Sequence, residues 1–268
     1  MPEGDTVWLT ARRLREALAG RRLVVADLRV PQLATADLTG REVRDVTSRG
    51  KHLLTRLQGG WTLHTHLRMD GAWRVFRTGQ RWYGGPISDV RAVLATEDRI
   101  AVGYRLPVVE LLHTVEEETA LGRLGPDLLA PDWGGPAQDE AVRRLSAEPA
   151  RQIGEALLDQ ENLAGVGNVY KCELCFLRGV SPFTPVGEVE RLDRMVGLAH
   201  RLLDANKARS GHVTTGDTRP GRRHWVYGRG GRPCLRCGTL VAAAHQGAPP
   251  RDRITYWCPT CQPDPPPP

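Results

Sequence analysis

Apolar positions follow two rhythms in the first hundred residues. Trp8, Ala11, Leu14 and Leu18 recur three to four residues apart, the spacing that lines one face of a helix. Asp5 or Thr6 supplies a capping oxygen ahead of them, and Gly20 a stop behind. From residue 21 to about 104 the rhythm changes to short β-rich runs at 23–25, 43–46, 52–55, 61–66, 72–76, 90–94 and 100–102. Gly59-Gly60, Asp70-Gly71 and Glu97-Asp98 punctuate them as turns. Many short strands at near-regular spacing predict an antiparallel sandwich or barrel.

Residues 106–119 return to a helical rhythm. A Gly- and Pro-rich stretch follows, from Leu121-Gly122-Arg123-Leu124-Gly125-Pro126-Asp127 to Pro136, and marks a domain boundary. Beyond residue 139 the pattern is helical, with helices expected at 151–159, 169–177 and 189–207. The turn Gly165-Val166-Gly167-Asn168 joins the first two. Such a turn exposes N–H groups at a helix start, a natural phosphate seat. Cys172 and Cys175, one turn apart on the second helix, read as packing residues or inert thiols. Residues 210–223 are polar and Gly-rich, a mobile loop. The tail, 263–268, is Pro-rich and reads as disordered.

Composition narrows the function. Apolar residues make up 40% of the 268, enough for a packed core. No apolar run approaches the roughly 18 residues that span a membrane. Acidic Glu3 and Asp5 stand where a signal peptide would be basic. The expectation is a cytoplasmic protein with no membrane partner. Six cysteines in that setting point to metal or chemistry rather than disulfides. A net charge of +6 favours a polyanionic partner such as nucleic acid. Only Lys51, Lys171 and Lys207 of the 37 basic residues are lysine. Arginine suits bidentate phosphate contacts, but a GC-rich genome produces the same skew, so each retained lysine is a position to question.

The strongest spacing signal is Cys234-x-x-Cys237 with Cys258-x-x-Cys261, separated by 20 residues. Four thiolates complete a tetrahedral shell, which predicts one closed, structural Zn2+ site. A hairpin this small does not hold itself together without metal. Arg229, Arg232, Arg236, Arg251 and Arg253 surround it, interleaved with Tyr227, Tyr256 and Trp257, a composition suited to nucleic-acid contact.

The chain begins Met1-Pro2-Glu3. Removal of Met1 would leave the secondary amine of Pro2 as the terminus. An α-amine with a pKa of about 7.7–8.0 is partly neutral at physiological pH and can capture a carbon electrophile as a covalent imine. From proline that adduct is a cationic iminium, an electron sink. Glu3 places a carboxyl group beside it for proton transfer. The competing reading is a frayed, inert terminus. Lys51 follows Gly50 where a turn would project it into a cleft, or else it is merely solvated. Arg68 and Met69 fall in a tight turn at 66–71; residue type alone assigns Met69 to the core.

In chain order the motifs are MPEG at residue 1, RGKHL at 49–53, HLRMDG at 66–71, LGPDLL at 124–129, LLDQENLAGVGNVY at 157–170, VYGRGGRPCLRCGT at 226–239 and YWCPTCQ at 256–262. Together they resemble the formamidopyrimidine-DNA glycosylase/endonuclease VIII family of base-excision repair enzymes, over nearly the whole chain. The resemblance implies an α+β fold. An N-terminal catalytic β-sandwich with its helix would span 1–120, a linker 121–138, a helix–two-turns–helix DNA-binding domain 139–215 and a zinc-finger β-hairpin 224–262.

It also implies roles. Pro2 would attack C1′ of the damaged nucleotide, Glu3 would move protons during base release and ring opening, and Lys51 would serve β-elimination. Arg253 would grip phosphate and assist δ-elimination. Asn168, Arg123 and His66 would contact the DNA backbone. Arg68 and Met69 would fill the gap left by the extruded base, which displaces the core assignment of Met69. The family usually carries a glutamate where this chain has Asp5-Thr6. The start MPEG, and the short 210–225 segment without a loop suited to 8-oxoguanine, place the chain nearer the endonuclease VIII branch. The expected activity is a DNA glycosylase and abasic-site lyase acting on oxidised pyrimidines, as a monomer on damaged DNA. The alternatives are the 8-oxoguanine branch and a DNA-binding protein without catalysis.

Overall fold

In the computed structural model, which describes residues 2–250 and 252–263, the chain divides after Arg123 into two compact units. Helix α1 (Gly4–Leu18) buries Val7, Ala11, Leu14, Ala17 and Leu18 on one stripe and leaves Arg12, Arg13 and Glu16 outside. Its cap position is Glu3, two residues before Asp5 and three before Thr6, the expected caps, and no side-chain hydrogen bond caps it. Asp5 lies inside the first turn and accepts the Thr6 N–H at 2.7 Å. The chain leaves the helix through Gly20, whose φ of +74° suits a residue without Cβ.

Eight strands follow: β1 (Val25–Leu28), β2 (Val43–Arg49), β3 (His52–Leu57), β4 (Trp61–His66), β5 (Ala72–Arg77), β6 (Val90–Ala95), β7 (Arg99–Tyr104) and β8 (Val108–His113). They form two antiparallel four-stranded sheets, in the orders β1-β6-β7-β5 and β2-β3-β4-β8. Alternate residues turn inward. Leu28, Leu94 and Ala101 of one sheet meet Val46, Leu53 and Leu63 of the other, and the α1 stripe shares that core. Truncating one such buried leucine to alanine costs about 2–5 kcal/mol. On its other side the first sheet packs Phe76, Val93, Val102 and Tyr104 against Trp82.

The helix expected at 106–119 is not there. Residues 108–113 are β8, paired along their length with β4. A 3-10 turn (Thr114–Glu116) follows, then a short helix α2 (Glu117–Leu121). The run Val108-Val109-Glu110-Leu111-Leu112 is apolar enough for either state; the free edge of β4 decides it. The buried Glu117 carboxylate ties α2 to the sheet. It accepts Arg56 Nη2 at 2.7 Å and the Thr62 hydroxyl at 2.6 Å.

The second unit holds α3 (Gly135–Leu145), α4 (Ile153–Leu158), α5 (Asn168–Arg178), α6 (Leu192–Asn206) and a hairpin of β9 (Ala242–Gln246) with β10 (Arg253–Trp257). Side-chain amides knit the α4–α5 turn. Gln160 Nε2 donates to the Val166 carbonyl at 3.0 Å, and its Oε1 accepts the Gly165 N–H at 3.1 Å. Residues 124–128 run beside this turn so closely that a Cβ on Gly125 would meet the Asn162 carbonyl carbon at 2.5 Å. Helix α5 carries the hairpin: the fully buried Lys171 bonds Thr255, and Asn168 Nδ2 donates to the Ile254 carbonyl at 2.8 Å. The 210–223 segment is internally hydrogen-bonded, for example from Thr214 N to the Arg223 carbonyl at 2.9 Å. Arg251 and the tail at 264–268 lie outside the described residues, as does Met1.

Candidate active site and metal centre

In the first unit the end of α1 is pinned to the start of β2. Gly20 N donates to the Val43 carbonyl at 2.8 Å, and Arg15 pairs with Asp45 at 2.9 Å. The 15 residues of α1 rise ~22 Å. The seven of β2 cover ~23 Å. A helix running back along β2 therefore begins where β2 ends, at the Gly50-Lys51 turn. That alignment would set Pro2 and Glu3 at the same end of the sheet as Lys51. Glu3 is completely buried; Pro2 and Lys51 are half-buried.

His66 closes β4 on that same edge, directly opposite His52 in the register, so it lies one strand from Lys51. The turn after it holds Arg68 in a left-handed conformation, φ +46°, with its N–H donated to His66 Nδ1 at 2.9 Å. Met69 is 59% exposed. It is no part of the core, as residue type alone had suggested, and Arg68 stands exposed beside it. Arg123, the last residue of the unit, is also exposed.

Three imidazoles gather at the edge, a cluster that strand spacing does not reveal because it depends on register. The alternation His64-Thr65-His66 was the available signal. Burial, reinforced by the positive surroundings of His66, His64, Lys51 and Arg49, pushes His52 down to about 3. Burial followed by Arg68, Lys51 and His64 lowers His66 to about 4. Both rings are neutral at physiological pH, and they act as hydrogen-bonding groups rather than as cations.

In the second unit Asn168 opens α5, and its bond to the Ile254 carbonyl sets it one residue from Arg253 on β10. Arg253 is exposed, with Nη1 donating to the Asp252 carbonyl at 2.7 Å. Farther along the hairpin, Cys234, Cys237, Cys258 and Cys261 bring their sulfurs within 4.8 Å of one another. Tetrahedral thiolate ligation at about 2.3 Å per bond needs sulfurs roughly 3.8 Å apart, so the donor set fits a metal ion. The 3.4 Å between Cys237 and Cys258 is far too long for a disulfide. Cys172 and Cys175 are fully buried on α5, Cys172 in the apolar cluster that also holds Cys234 and Cys258. Burial pushes the Cys175 thiol up to about 12, which makes it inert.

Residues 1–105 match the family described as the formamidopyrimidine-DNA glycosylase N-terminal domain. The chain is 61% identical over 267 residues to a probable endonuclease 8 2 of Streptomyces coelicolor, covering 99% of this chain and 95% of that one. It is 48% identical to the DNA-(apurinic or apyrimidinic site) lyase Nei2 of Mycolicibacterium smegmatis, with 98% and 99% covered. In three dimensions it is similar to the Lactococcus lactis Fpg solved with DNA containing an abasic site, at a TM-score of 0.80 and 21% identity over 97% and 99% of the two chains. Among the described residues no helix is long and apolar enough to cross a membrane.

Proposed function

The chain belongs to the formamidopyrimidine-DNA glycosylase/endonuclease VIII family of DNA glycosylases and abasic-site lyases, and from that membership we propose that it removes oxidised pyrimidines through a Schiff base on Pro2. What supports the proposal is that buried Glu3 and Pro2 stand at the start of α1, whose other end is pinned to the start of β2, while Lys51 sits in the turn after β2. With Met1 removed, the Pro2 amine attacks C1′ once the base has swung out of the stack. The C1′–N bond breaks as the new C–N bond forms. Glu3, shielded from water, is suited to passing a proton to the opening sugar. Lys51 serves the β-elimination that releases the 3′ phosphate.

The remaining roles are backbone contacts and a wedge. Asn168 and Arg253 sit together and suit a phosphate, with Arg253 assisting δ-elimination. His66, protonated on Nε2, donates to another phosphate, and Arg123 adds a further contact. Such contacts fix register without reading sequence. Exposed Met69, held out by the left-handed Arg68, fills the vacancy left by the base. A zinc ion on the four cysteines holds the hairpin that carries Arg253 and takes no part in the chemistry. The protein acts as a monomer on damaged DNA in the cytoplasm.

Single-turnover excision from duplexes carrying thymine glycol, 5-hydroxyuracil or 8-oxoguanine tests the substrate. The first two are expected to react faster; a marked preference for 8-oxoguanine opposite cytosine would overturn the assignment. Tight binding with no cleavage of any lesion would instead identify a binding protein.

A further inference from the structure

Glu110, His64 and His52 have no role in the chemistry above, yet they form one hydrogen-bonded chain. Glu110 Oε2 lies 3.0 Å from His64 Nδ1, and His64 Nε2 lies 2.8 Å from His52 Nδ1. The His52 and His64 rings stack with centroids 5.0 Å apart, and His66 meets His52 edge-on at 4.8 Å. Register produces this arrangement. His64 pairs with Glu110 across β4–β8, and His66 with His52 across β4–β3. Because the chain is assembled from three strands of a rigid sheet, its geometry does not depend on a mobile loop.

Its polarity runs in one direction. A carboxylate only accepts, so His64 carries its proton on Nδ1. With that single proton His64 accepts at Nε2, and His52 then donates from Nδ1. That leaves His52 with a bare Nε2, in the residue next to Lys51. The charged and titratable groups around His52 are Arg49 from β2, Lys51 from the turn, His64 and His66 from β4, and beyond His64 the carboxylate of Glu110. Glu118 pairs with Arg49 at 2.7 Å; the other groups apart from Glu110 are basic. An extra proton on His52 would go to Nε2 and set an imidazolium against Lys51 and Arg49.

We propose that Glu110, acting through His64, is a positioning residue that fixes His52 as an uncharged acceptor in the Lys51 turn. The inference deepens the lyase mechanism proposed above and rests on it. Glu110 does not touch DNA in this role; it sets the tautomer of the ring beside the residue that does. Substituting Gln for Glu110 keeps the shape of a half-exposed side chain but supplies a donor as well as an acceptor. His64 can then reverse, and His52 with it.

The test uses the full-length protein. Nitrogen-15 shifts of the histidine rings report which nitrogen is protonated, and single-turnover cleavage of abasic DNA across pH reports the consequence. Wild type is expected to show His52 protonated on Nδ1. Glu110→Gln is expected to show mixed tautomers. Its elimination rate should be slower by about tenfold, less than the 10²–10⁴ of a group that itself transfers a proton. KM should stay within about twofold, and the acid limb of the rate profile should move. A merely structural role would lower the melting temperature and leave the tautomer and the limb in place. Unchanged rates in Glu110→Gln overturn the proposal whether or not the tautomer moves, and so does an unchanged His52 tautomer. Failure of wild type to cleave abasic DNA would instead sink the lyase mechanism itself.

Discussion

Removing the carboxylate of Glu173 should loosen the hairpin side of the second unit while leaving the first unit intact. Glu173 lies on α5 and is completely buried. One oxygen accepts the Val226 and Tyr227 N–H groups, each at 2.9 Å, and the other accepts the Trp225 N–H at 2.8 Å and the Thr214 hydroxyl. The segment it holds packs Trp225 on Phe176 at 5.4 Å, and Arg236, between two metal-ligating cysteines, covers Phe176 at 4.3 Å. Glu173→Ala strands three backbone donors, at about 1–3 kcal/mol each. Relief from burying a charge offsets part of this, which leaves a net loss of about 3–5 kcal/mol. That is a large fraction of the roughly 5–15 kcal/mol that stabilises a domain. Glu173→Gln keeps one acceptor oxygen and turns an amide N–H toward another N–H, for a loss of about 1–3 kcal/mol. Urea unfolding gives the magnitudes, and amide exchange locates them: residues 225–227 should lose protection while β3 and β4 keep theirs. Glu173→Gln unfolding within about 0.5 kcal/mol of wild type, below the cost of a stranded donor, would refute the reasoning. So would unchanged exchange at 225–227.

Chelation of the metal should release the 234–262 hairpin and abolish DNA binding while the first unit keeps its melting transition, as followed by calorimetry and gel shift. Met69→Ala should slow excision from duplex by about tenfold or more, since the wedge offsets an unstacking cost of a few kcal/mol. Cleavage of a single-stranded abasic site should hardly change, and equal losses on both substrates would exclude a wedge. His52 and His66 are lowered in the fold, so the unfolded chain takes up their protons first. The stability they confer is complete above about pH 6.5 and is lost as pH falls toward 4 and 3, by up to about 1.4 kcal/mol per pH unit for each ring. Urea unfolding at pH 7 and pH 5 measures this. A first unit equally stable at both would contradict the burial of the two rings.

What the sequence reveals depends on how local the cause is. Helix α1 and the strands between 43 and 104 show through because inward and outward positions alternate within each element. The cysteine cluster shows through because ligand spacing is itself local. Strand β8 does not, since its Val-Glu-Leu run fits a helix equally well and only the unpaired edge of β4 selects the strand. Met69 looks apolar and therefore internal. Its exposure follows from the left-handed turn at Arg68, which composition does not encode. The chain from Glu110 to His52 is farther from view still, because it needs the register of three strands at once. Family likeness supplied candidate roles for Pro2, Lys51 and Asn168 without supplying the contacts that pin the end of α1 to the start of β2.

The most direct test of the central claim is borohydride reduction of the protein reacting with abasic DNA, followed by mass mapping of the adduct. The account predicts a single covalent adduct on the amine of Pro2, in chains lacking Met1. An adduct on Lys51 or another lysine, or no adduct while cleavage proceeds, would contradict it.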